Sequence, residues 1–274
     1  MQTVTTNGLA IPQLGFGVFR MTEEEVERLV PAALEAGFRH FDTAQIYGNE
    51  AALGRALKSA GVSRDEIFLT TKVWVDDYAA DRFRPSVEES LDKLQVGQVD
   101  LLLLHWPGSP VPLADQIARL NAAQDAGLTR AIGVSNQTVA QMRRSVALSH
   151  APIVTNQVEI HPYLDQTALA AAARELGLAL TGYFGMADGA VPADPALREI
   201  GAKHGKTAAQ VALRWQIEAG HVALSKTASP ARLAENIAIF DFALDAGDKA
   251  RIAALARPDG RIVSPEGLAP AWDA

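Results

Sequence analysis

The sequence predicts an α/β fold, a (β/α)8 TIM barrel preceded by an N-terminal β-hairpin. Eight short apolar runs alternate with longer amphipathic segments, which is the repeat of that barrel. No stretch rich in proline, glycine and serine divides the 274 residues, and 48% of them are hydrophobic, so we expect residues 1–274 to form one domain with a large core. An open doubly wound sheet is the alternative, because a single sequence does not fix the number of strands.

The N-terminal hairpin is predicted by Asn7-Gly8, a turn dipeptide between two short alternating segments. The apolar runs that follow are short enough to be strands, and polar segments separate them. They cover residues 14–19, 38–42, 67–72, 99–105, 130–135, 153–159, 178–183 and 221–226.

The longer segments between the strands are predicted crossover helices. Apolar residues recur three and four positions apart, as in residues 26–34 and 87–94, and this spacing lines one face of a helix. Gly37, Gly97 and Gly127 stand where these helices are expected to stop.

Two of the helices are predicted to begin with a capping box. In Thr22 with Glu25, and in Ser86 with Glu89, each side chain can accept from a free backbone N–H of the first turn. We therefore expect one helix to begin just after Thr22 and another just after Ser86.

Composition excludes several classes of function. The net charge of −7 and the isoelectric point near 5.4 provide no basic face, so we expect no nucleic-acid partner. The absence of cysteine excludes disulfides and thiolate catalysis, and with six scattered histidines we expect no metal site. There is no secretion signal and no run of about 18 apolar residues, so we expect a cytoplasmic protein with no membrane partner. No stretch indicates an obligate interface, and a monomer is expected.

Polar residues interrupt the apolar pattern at the carboxyl ends of the predicted strands. In a barrel of this kind those ends form the rim on which reactive groups lie. The residues at these positions are Asp42, Lys72, His105, Ser135, Asn136, Asn156, Gln157, Tyr183 and Lys226.

Three successive strand ends bring an acid, a phenol, an amine and an imidazole to that rim. Singly, Asp42 is more often a helix cap, Tyr47 an edge aromatic, Lys72 a solvated amine and His105 a histidine satisfied by backbone. Together they make a proton donor: an ammonium lowers the pKa of a nearby phenol, and a carboxylate keeps that ammonium charged. A neutral imidazole can orient a carbonyl oxygen. Such a set protonates an oxygen while another group delivers an electron pair to carbon.

The usual motifs for binding an electron donor are absent. "GFGVFR" lacks the third glycine of G-x-G-x-x-G, and neither G-x-S-x-G nor H-E-x-x-H occurs. None of the four tyrosines has a lysine four residues later, which argues against a short-chain dehydrogenase. These absences leave an organic hydride donor that is bound in another way.

The segment "SKTASPARLAEN", residues 225–236, is a candidate site for such a donor. It places a lysine at a strand end, hydroxyls in the loop and an arginine in the next helix, which suits a phosphate monoester. A capped helix with an exposed arginine explains the same residues equally well. The candidate ligands are Lys226, Thr227, Arg232, Glu235 and Asn236.

Nearly the whole chain resembles the aldo-keto reductases, (β/α)8 enzymes that use NADPH without a Rossmann fold. The segments that carry the likeness occur in the order and at the spacing of that family. They are "LGFGVFR", "GFRHFDTAQIYGNE", "FLTTKVW", "VDLLLLHWP", "IGVSN", "NQVEIHPYL" and "SPARLAENIAIFDFAL". The ending "RIVSPEGLAPAWD" is similar to the bacterial branch that contains 2,5-diketogluconate reductase B, which also reduces methylglyoxal.

The resemblance implies a role for each candidate residue. The catalytic set would be Tyr47 as proton donor, Lys72 and Asp42 as the pair that tunes it, and His105 as the group that orients the carbonyl. The nicotinamide carboxamide would bind Ser135, Asn136 and Gln157, with Tyr183 stacked on its ring. The 2′-phosphate of NADPH would bind Lys226, Thr227 and Arg232, and the adenine would bind Glu235 and Asn236. The walls of the substrate pocket would be Phe19, Trp74 and Trp106.

Two departures from the family pattern affect the cleft. "YFGMADG" replaces a common Tyr-Ser-Pro-Leu, which leaves the contacts to the pyrophosphate open, and the tail after Asp259 is short, so we expect one wall of the pocket to be open. The expected function is NADPH-dependent reduction of small 2-oxoaldehydes or keto sugars. One alternative is an isomerase or lyase that forms a Schiff base at Lys72, and another is a non-catalytic NADPH-binding or redox-sensing protein.

Overall fold

The computed structural model describes residues 2–273, which form ten strands and eleven α-helices. The strands are β1 Thr3–Thr6, β2 Leu9–Pro12, β3 Leu14–Gly17, β4 His40–Asp42, β5 Phe68–Val73, β6 Val99–Leu104, β7 Thr129–Ser135, β8 Ile153–Glu159, β9 Ala179–Tyr183 and β10 Val222–Ser225. The helices are α1 Glu23–Ala36, α2 Glu50–Ser59, α3 Phe83–Leu94, α4 Leu113–Asp125, α5 Val139–Leu148, α6 Thr167–Glu175, α7 Ala190–Ala193, α8 Pro195–His204, α9 Ala208–Glu218, α10 Pro230–Ile237 and α11 Ala246–Ala253. No helix within these residues is both long and apolar enough to cross a membrane.

Strands β3 to β10 form a closed parallel barrel, so the predicted fold class is confirmed and the open sheet is wrong. Closure is made by β10 pairing with β3, where Ser225 lies opposite Phe16. All eight predicted strands are present, and their bounds differ from the prediction by at most two residues. The largest differences are at β3, which stops at Gly17 instead of residue 19, and at the start of β4, which is residue 40 instead of 38.

The N-terminal hairpin closes the amino end of the barrel. Its turn has left-handed backbone at both central residues, with φ of 46° at Asn7 and 82° at Gly8, as a two-residue hairpin loop requires. The Thr6 hydroxyl bonds the carbonyl of Val154 at 3.1 Å, and Ile11 packs into a core cluster inside the barrel. The functional cleft must therefore lie at the other end.

One of the two predicted capping boxes is confirmed and the other is wrong. Thr22 accepts from the amide of Glu25 at 3.2 Å, and Glu25 accepts in return from the amide of Thr22 at 3.0 Å. Ser86, however, lies inside α3, and its hydroxyl donates to the carbonyl of Phe83 at 2.9 Å. Phe83 is buried at the first position of α3, so tertiary burial favours a start four residues before the one that the local signal predicts.

Two of the three predicted helix stops are glycines with left-handed backbone. Gly37 ends α1 with φ of 106°, and Gly127 follows α4 with φ of 73°. Gly97 does not end α3, since Gln95 takes the left-handed position with φ of 58° and its amide donates to the carbonyls of Leu91 and Asp92. The prediction for Gly97 is thus wrong by two residues.

Candidate active site

A cleft of about 810 Å³ lies at the carboxyl end of the barrel strands. Twelve of the sixteen residues to which the resemblance assigns a role line this cleft. They are Phe19, Asp42, Tyr47, Trp74, His105, Trp106, Ser135, Asn136, Gln157, Tyr183, Lys226 and Asn236. The other four, which do not line it, are Lys72, Thr227, Arg232 and Glu235. Asn156, the remaining strand-end residue, is buried and donates to the carbonyl of Gln137.

The two-residue period of β5 directs Lys72 into the barrel. Phe68 belongs to the cluster inside the barrel, whereas Leu69 and Val73 belong to the core under the helices. Lys72 has the same parity as Phe68 and reaches inward to Asp42. In β6 Leu103 is inside, and the same parity brings His105 to the rim.

Lys72 and Asp42 form a buried ion pair below the cleft. Lys72 Nζ lies 2.6 Å from Asp42 Oδ1 and also donates to the carbonyl of Thr43 at 2.8 Å. Its third contact is the hydroxyl of Tyr47 at 3.3 Å. The side chain of Lys72 is fully buried, so all of its charge is compensated by these oxygens. The ammonium does not line the cleft itself, but its two side-chain partners, Asp42 and Tyr47, both do.

Tyr47 stands on a short 3-10 turn, Gln45–Tyr47, which Gln45 fixes to the barrel. The Gln45 amide oxygen accepts from the backbone of Trp74 at 2.7 Å, and its nitrogen donates to the carbonyl of Ser86 at 3.0 Å. The centroid of the phenol ring lies 4.9 Å from the ring centroid of Phe19 and 5.7 Å from that of His105. Its hydroxyl is thus held between Lys72 and the open cleft.

Burial and charge set the protonation states of this group. Burial disfavours the charged form of Lys72, but Asp42 and Tyr47 outweigh it, and the net pKa of Lys72 is raised. Burial, helped by the charge on Lys72, holds the pKa of His105 well below its ordinary value, so its imidazole is neutral at pH 7. Burial raises the pKa of Tyr47, and Lys72 only partly opposes this. The expected lowering of the Tyr47 pKa by Lys72 is therefore present, but burial outweighs it, so the net pKa is raised and the phenol holds its proton.

The polar residues of β7, β8 and β9 form one hydrogen-bonded network beside the phenol. Asn136 donates to the carbonyl of His105 at 3.0 Å and accepts from the hydroxyl of Tyr183 at 2.6 Å. The side-chain amide of Gln157 donates to Asp42 Oδ2 at 2.8 Å, and the backbone carbonyl of Gln157 accepts from Ser135 Oγ at 2.7 Å. The network fixes amide and hydroxyl groups on one wall of the cleft.

The loop after β10 carries the predicted phosphate ligands. Lys226 is exposed at the cleft, where its ammonium approaches the carbonyl of Arg20 at 3.4 Å. Arg232 is exposed on α10, outside the lining of the cleft. The hydroxyl of Thr227 accepts from the amide of Ser229 at 3.0 Å.

The two predicted adenine ligands differ in their surroundings. Asn236 is buried in the cleft wall and donates to Ser225 Oγ at 2.8 Å. Glu235 is turned away toward α9, where its carboxylate accepts from the Thr207 hydroxyl at 2.7 Å.

The segment after β9 has an unusual backbone where it lines the cleft. Phe184, Ala187, Asp188 and Gly189 all have positive φ, and three of these four are not glycine. Such backbone is costly for residues with a side chain and occurs preferentially at functional sites. The loop that departs from the family pattern is therefore part of the cleft wall.

The C-terminal tail supplies a wall that sequence reasoning missed. Ile262, Val263 and Leu268 line the cleft, and Gly108 donates its amide to the carbonyl of Leu268 at 3.0 Å. The expectation of an open wall on this side is thus wrong. Ile46 also lines the cleft, and the sequence offered one signal for this role, its position next to Tyr47. The tail contacts join residues more than a hundred positions apart, so no local pattern could have indicated them.

The chain is similar to known proteins over nearly its whole length. The methylglyoxal reductase DkgB of Salmonella typhimurium is 43% identical over 268 residues, which cover 97% of this chain and all of that protein. A crystal structure provisionally assigned as a 2,5-diketo-D-gluconic acid reductase B is 60% identical, with a TM-score of 0.99 over 100% of this chain and 98% of the other. The aldose reductase of Schistosoma japonicum is 29% identical, with a TM-score of 0.89 over 94% of each chain.

A sequence model of one protein family also matches most of this chain. The model of the aldo/keto reductase family matches residues 13–257, which run from the start of the barrel to the end of its last helix. The matched range contains every candidate catalytic and cofactor residue, while the hairpin and the tail lie outside it. With nearly complete coverage of relatives at more than 40% identity, the chain belongs to the aldo/keto reductase family.

Proposed function

We propose that this protein reduces aldehydes and ketones to alcohols with NADPH, and that Tyr47 donates the proton. One observation carries the proposal: the Tyr47 hydroxyl lies 3.3 Å from the buried ammonium of Lys72 and faces the same cleft as a neutral His105. A phenol beside an ammonium is a general acid, and a neutral imidazole next to it can hydrogen-bond a carbonyl oxygen.

Tyr47, Lys72 and Asp42 would each have a separate role in the reaction. NADPH, when bound along the cleft, would supply a hydride, with its electron pair, to the carbonyl carbon. The O–H bond of Tyr47 breaks as its proton passes to the carbonyl oxygen, so the product is a neutral alcohol. Lys72 stabilises the phenolate that remains, and Asp42 keeps Lys72 charged at 2.6 Å. A proton from solvent then restores Tyr47.

The donors along the cleft fit a long anionic cofactor. At one end the amides of Asn136 and Gln157 and the hydroxyl of Ser135 suit the nicotinamide carboxamide. The ring of Tyr183 lines the same part of the cleft and would stack on the nicotinamide. At the other end Lys226 supplies a positive charge for the 2′-phosphate. Arg232 and Thr227 follow along the same loop and helix start, and Asn236 in the cleft wall would face the adenine. The carboxylate of Glu235 accepts from Thr207 instead, so it would have to turn to reach the adenine.

The aromatic walls of the cleft and the names of two similar proteins support a class of substrate. Phe19, Trp74 and Trp106 surround the carbonyl position with aromatic surface, which suits small carbonyl compounds. A methylglyoxal reductase and a protein assigned as a diketogluconate reductase are close in sequence. We therefore propose small 2-oxoaldehydes or keto sugars as substrates.

The geometry weighs against a Schiff base at Lys72. Nucleophilic attack needs a neutral amine that the substrate can reach. Lys72 is fully buried, and its raised pKa keeps it protonated. A binding or sensing role that lacks turnover is tested by the experiment below.

The test measures NADPH consumption with methylglyoxal, 2,5-diketogluconate and an aromatic aldehyde. We expect turnover by the wild type and a loss of at least about a hundred-fold in kcat for Tyr47→Phe, which removes the proton and keeps the ring. Fluorescence titration should show that NADPH still binds the variant.

The matched control is Tyr163→Phe, which removes a hydroxyl outside the cleft, where it donates to Asp194 at 3.0 Å. Undiminished turnover by Tyr47→Phe would mean that another group supplies the proton. Bound NADPH without turnover by the wild type would favour the sensing role.

A further inference from the structure

The mouth of the cleft has a rim of exposed hydrophobic residues. Among residues 2–273 the large hydrophobic side chains that stay exposed are Phe19, Ile46 and Ile262, at 41%, 51% and 45%. All three line the cleft. Exposed apolar side chains that gather at one concave site indicate an interaction site, whereas single ones scattered over a surface do not. The rim is therefore suited to bind a ligand with apolar surface.

The three residues of the rim reach it from different parts of the chain. Phe19 follows β3, and Ile46 lies in the 3-10 turn that Gln45 fixes to the barrel. Ile262 is different, because it lies nine residues after the end of α11, and no helix or strand adjoins residues 261–263. Its position must depend on contacts made by the tail.

Glu159 provides those contacts. It is the last residue of β8, it is fully buried, and its two oxygens accept from the amides of Ile262 at 2.8 Å and Val263 at 3.0 Å. His161 Nε2 lies 2.9 Å from the same carboxylate, and Arg261 lies 3.7 Å from it. A buried carboxylate that accepts several hydrogen bonds fixes its donors firmly, since losing them leaves an unpaired charge.

We propose that Glu159 is a positioning residue that sets Ile262 in the rim, and that this rim binds the apolar body of the carbonyl substrate. The proposal rests on the proposed function and deepens it by naming a substrate class: 2-oxoaldehydes with an apolar group beyond the two carbonyls. Such a group would leave the aromatic walls around Tyr47 and contact the rim. Methylglyoxal ends in a methyl group and has little surface to offer it.

Phenylglyoxal and methylglyoxal form the matched pair of substrates. Both present an aldehyde beside a ketone, and they differ only in the group attached to the ketone. A change in the rim should therefore act on the ratio of their kcat/KM values, and mainly through the KM of phenylglyoxal, since the reacting groups are the same. A general loss of folding would lower both values together.

Two variants test the two parts of the proposal. Glu159→Gln replaces one acceptor oxygen with an NH2 group that faces a backbone N–H, so one of the two tail contacts is lost. Ile262→Ala removes the apolar contact itself from an exposed position, where folding is little affected. The control is Glu266→Gln, the same chemical change at an exposed position of the same tail.

We expect both variants to lower the ratio of phenylglyoxal to methylglyoxal kcat/KM by roughly three- to ten-fold, less than an enclosed apolar contact gives because the rim is open to solvent. Glu266→Gln should keep the wild-type ratio, and the dissociation constant of NADPH should stay the same in all variants. An unchanged ratio in Ile262→Ala would overturn the role of the rim. An unchanged ratio in Glu159→Gln, or an equal loss on both aldehydes, would overturn the positioning role. Failure of the wild type to reduce either aldehyde would instead overturn the proposed function.

Discussion

At the scale of single residues, the proposed use of NADPH rather than NADH depends on two cations. The two cofactors differ by one phosphate, and the cations that the sequence assigns to it, Lys226 and Arg232, are both exposed. Arg232 is the more selective test, because Lys226 also lies against the carbonyl of Arg20 and lines the cleft. An arginine can form two parallel hydrogen bonds to one phosphate.

Arg232→Ala should raise the dissociation constant of NADPH by about ten-fold, the order expected for one charge-assisted contact at an exposed site. The dissociation constant of NADH should not change. Fluorescence titration of both cofactors measures this, and Arg143→Ala, which removes an exposed arginine that pairs with Glu175, is the control. If Arg232→Ala still prefers NADPH over NADH to the same degree, Arg232 does not bind the 2′-phosphate.

The proton-donor group shows what residue patterns can and cannot predict. The positions of Asp42, Lys72 and His105 follow from strand ends and parity, and the structure brings all three within reach of Tyr47. The direction of the Tyr47 pKa could not be predicted, because it depends on how much burial outweighs the ammonium. Burial of a side chain is a property of the whole barrel.

At the scale of elements, local signals predicted most strands and helices, and they failed where packing competes with them. Strand β8 has its predicted bounds, and the capping box at Thr22 is present. The prediction for α3 was wrong at both ends: the helix begins at the buried Phe83, and it ends at Leu94 with Gln95 as its cap. The predicted capping residues, Ser86 and Gly97, lie four and two residues after the observed ones, Arg82 and Gln95.

The end of α3 gives a prediction about stability. Gln95 is exposed and has a left-handed backbone, with φ of 58°, which a residue with a side chain adopts at a cost. Gln95→Gly should therefore raise the free energy of unfolding by roughly 0.5–1 kcal/mol.

Urea denaturation of the wild type and the variant measures this change. Gln95→Ala is the control, because it removes the same side chain but keeps the Cβ that makes the conformation costly. Equal effects of the two substitutions would show that the side chain, and not the backbone, decides the stability at this position.

At the scale of the whole molecule, the sequence predicted the end of the barrel at which the cleft lies but not all of its walls. Alternation of strands and helices predicts a closed barrel, and closure carries every strand end to one rim. The tail is different. Glu159 and the amide of Ile262 are 103 residues apart and belong to no repeated unit, so only the folded chain shows that they meet.

The barrel also separates the residues that stabilise it from those that act at the cleft. The hairpin lies against the amino end, where Thr6 and Asn7 bond backbone carbonyls of residues 153 and 154, whereas the cleft lies at the carboxyl end. Substitutions in the hairpin should thus change stability without changing turnover.

Gly8→Ala tests this separation. Gly8 has φ of 82°, and a Cβ there would meet no atom within 4 Å, so the cost is one of backbone conformation alone. We expect a loss of about 1 kcal/mol in the free energy of unfolding, with kcat and KM for methylglyoxal unchanged. Gly97→Ala is the control, since a Cβ there also meets open space and the backbone is not left-handed. A change in KM caused by Gly8→Ala, with the protein still folded, would show that the two ends of the barrel are coupled through its interior.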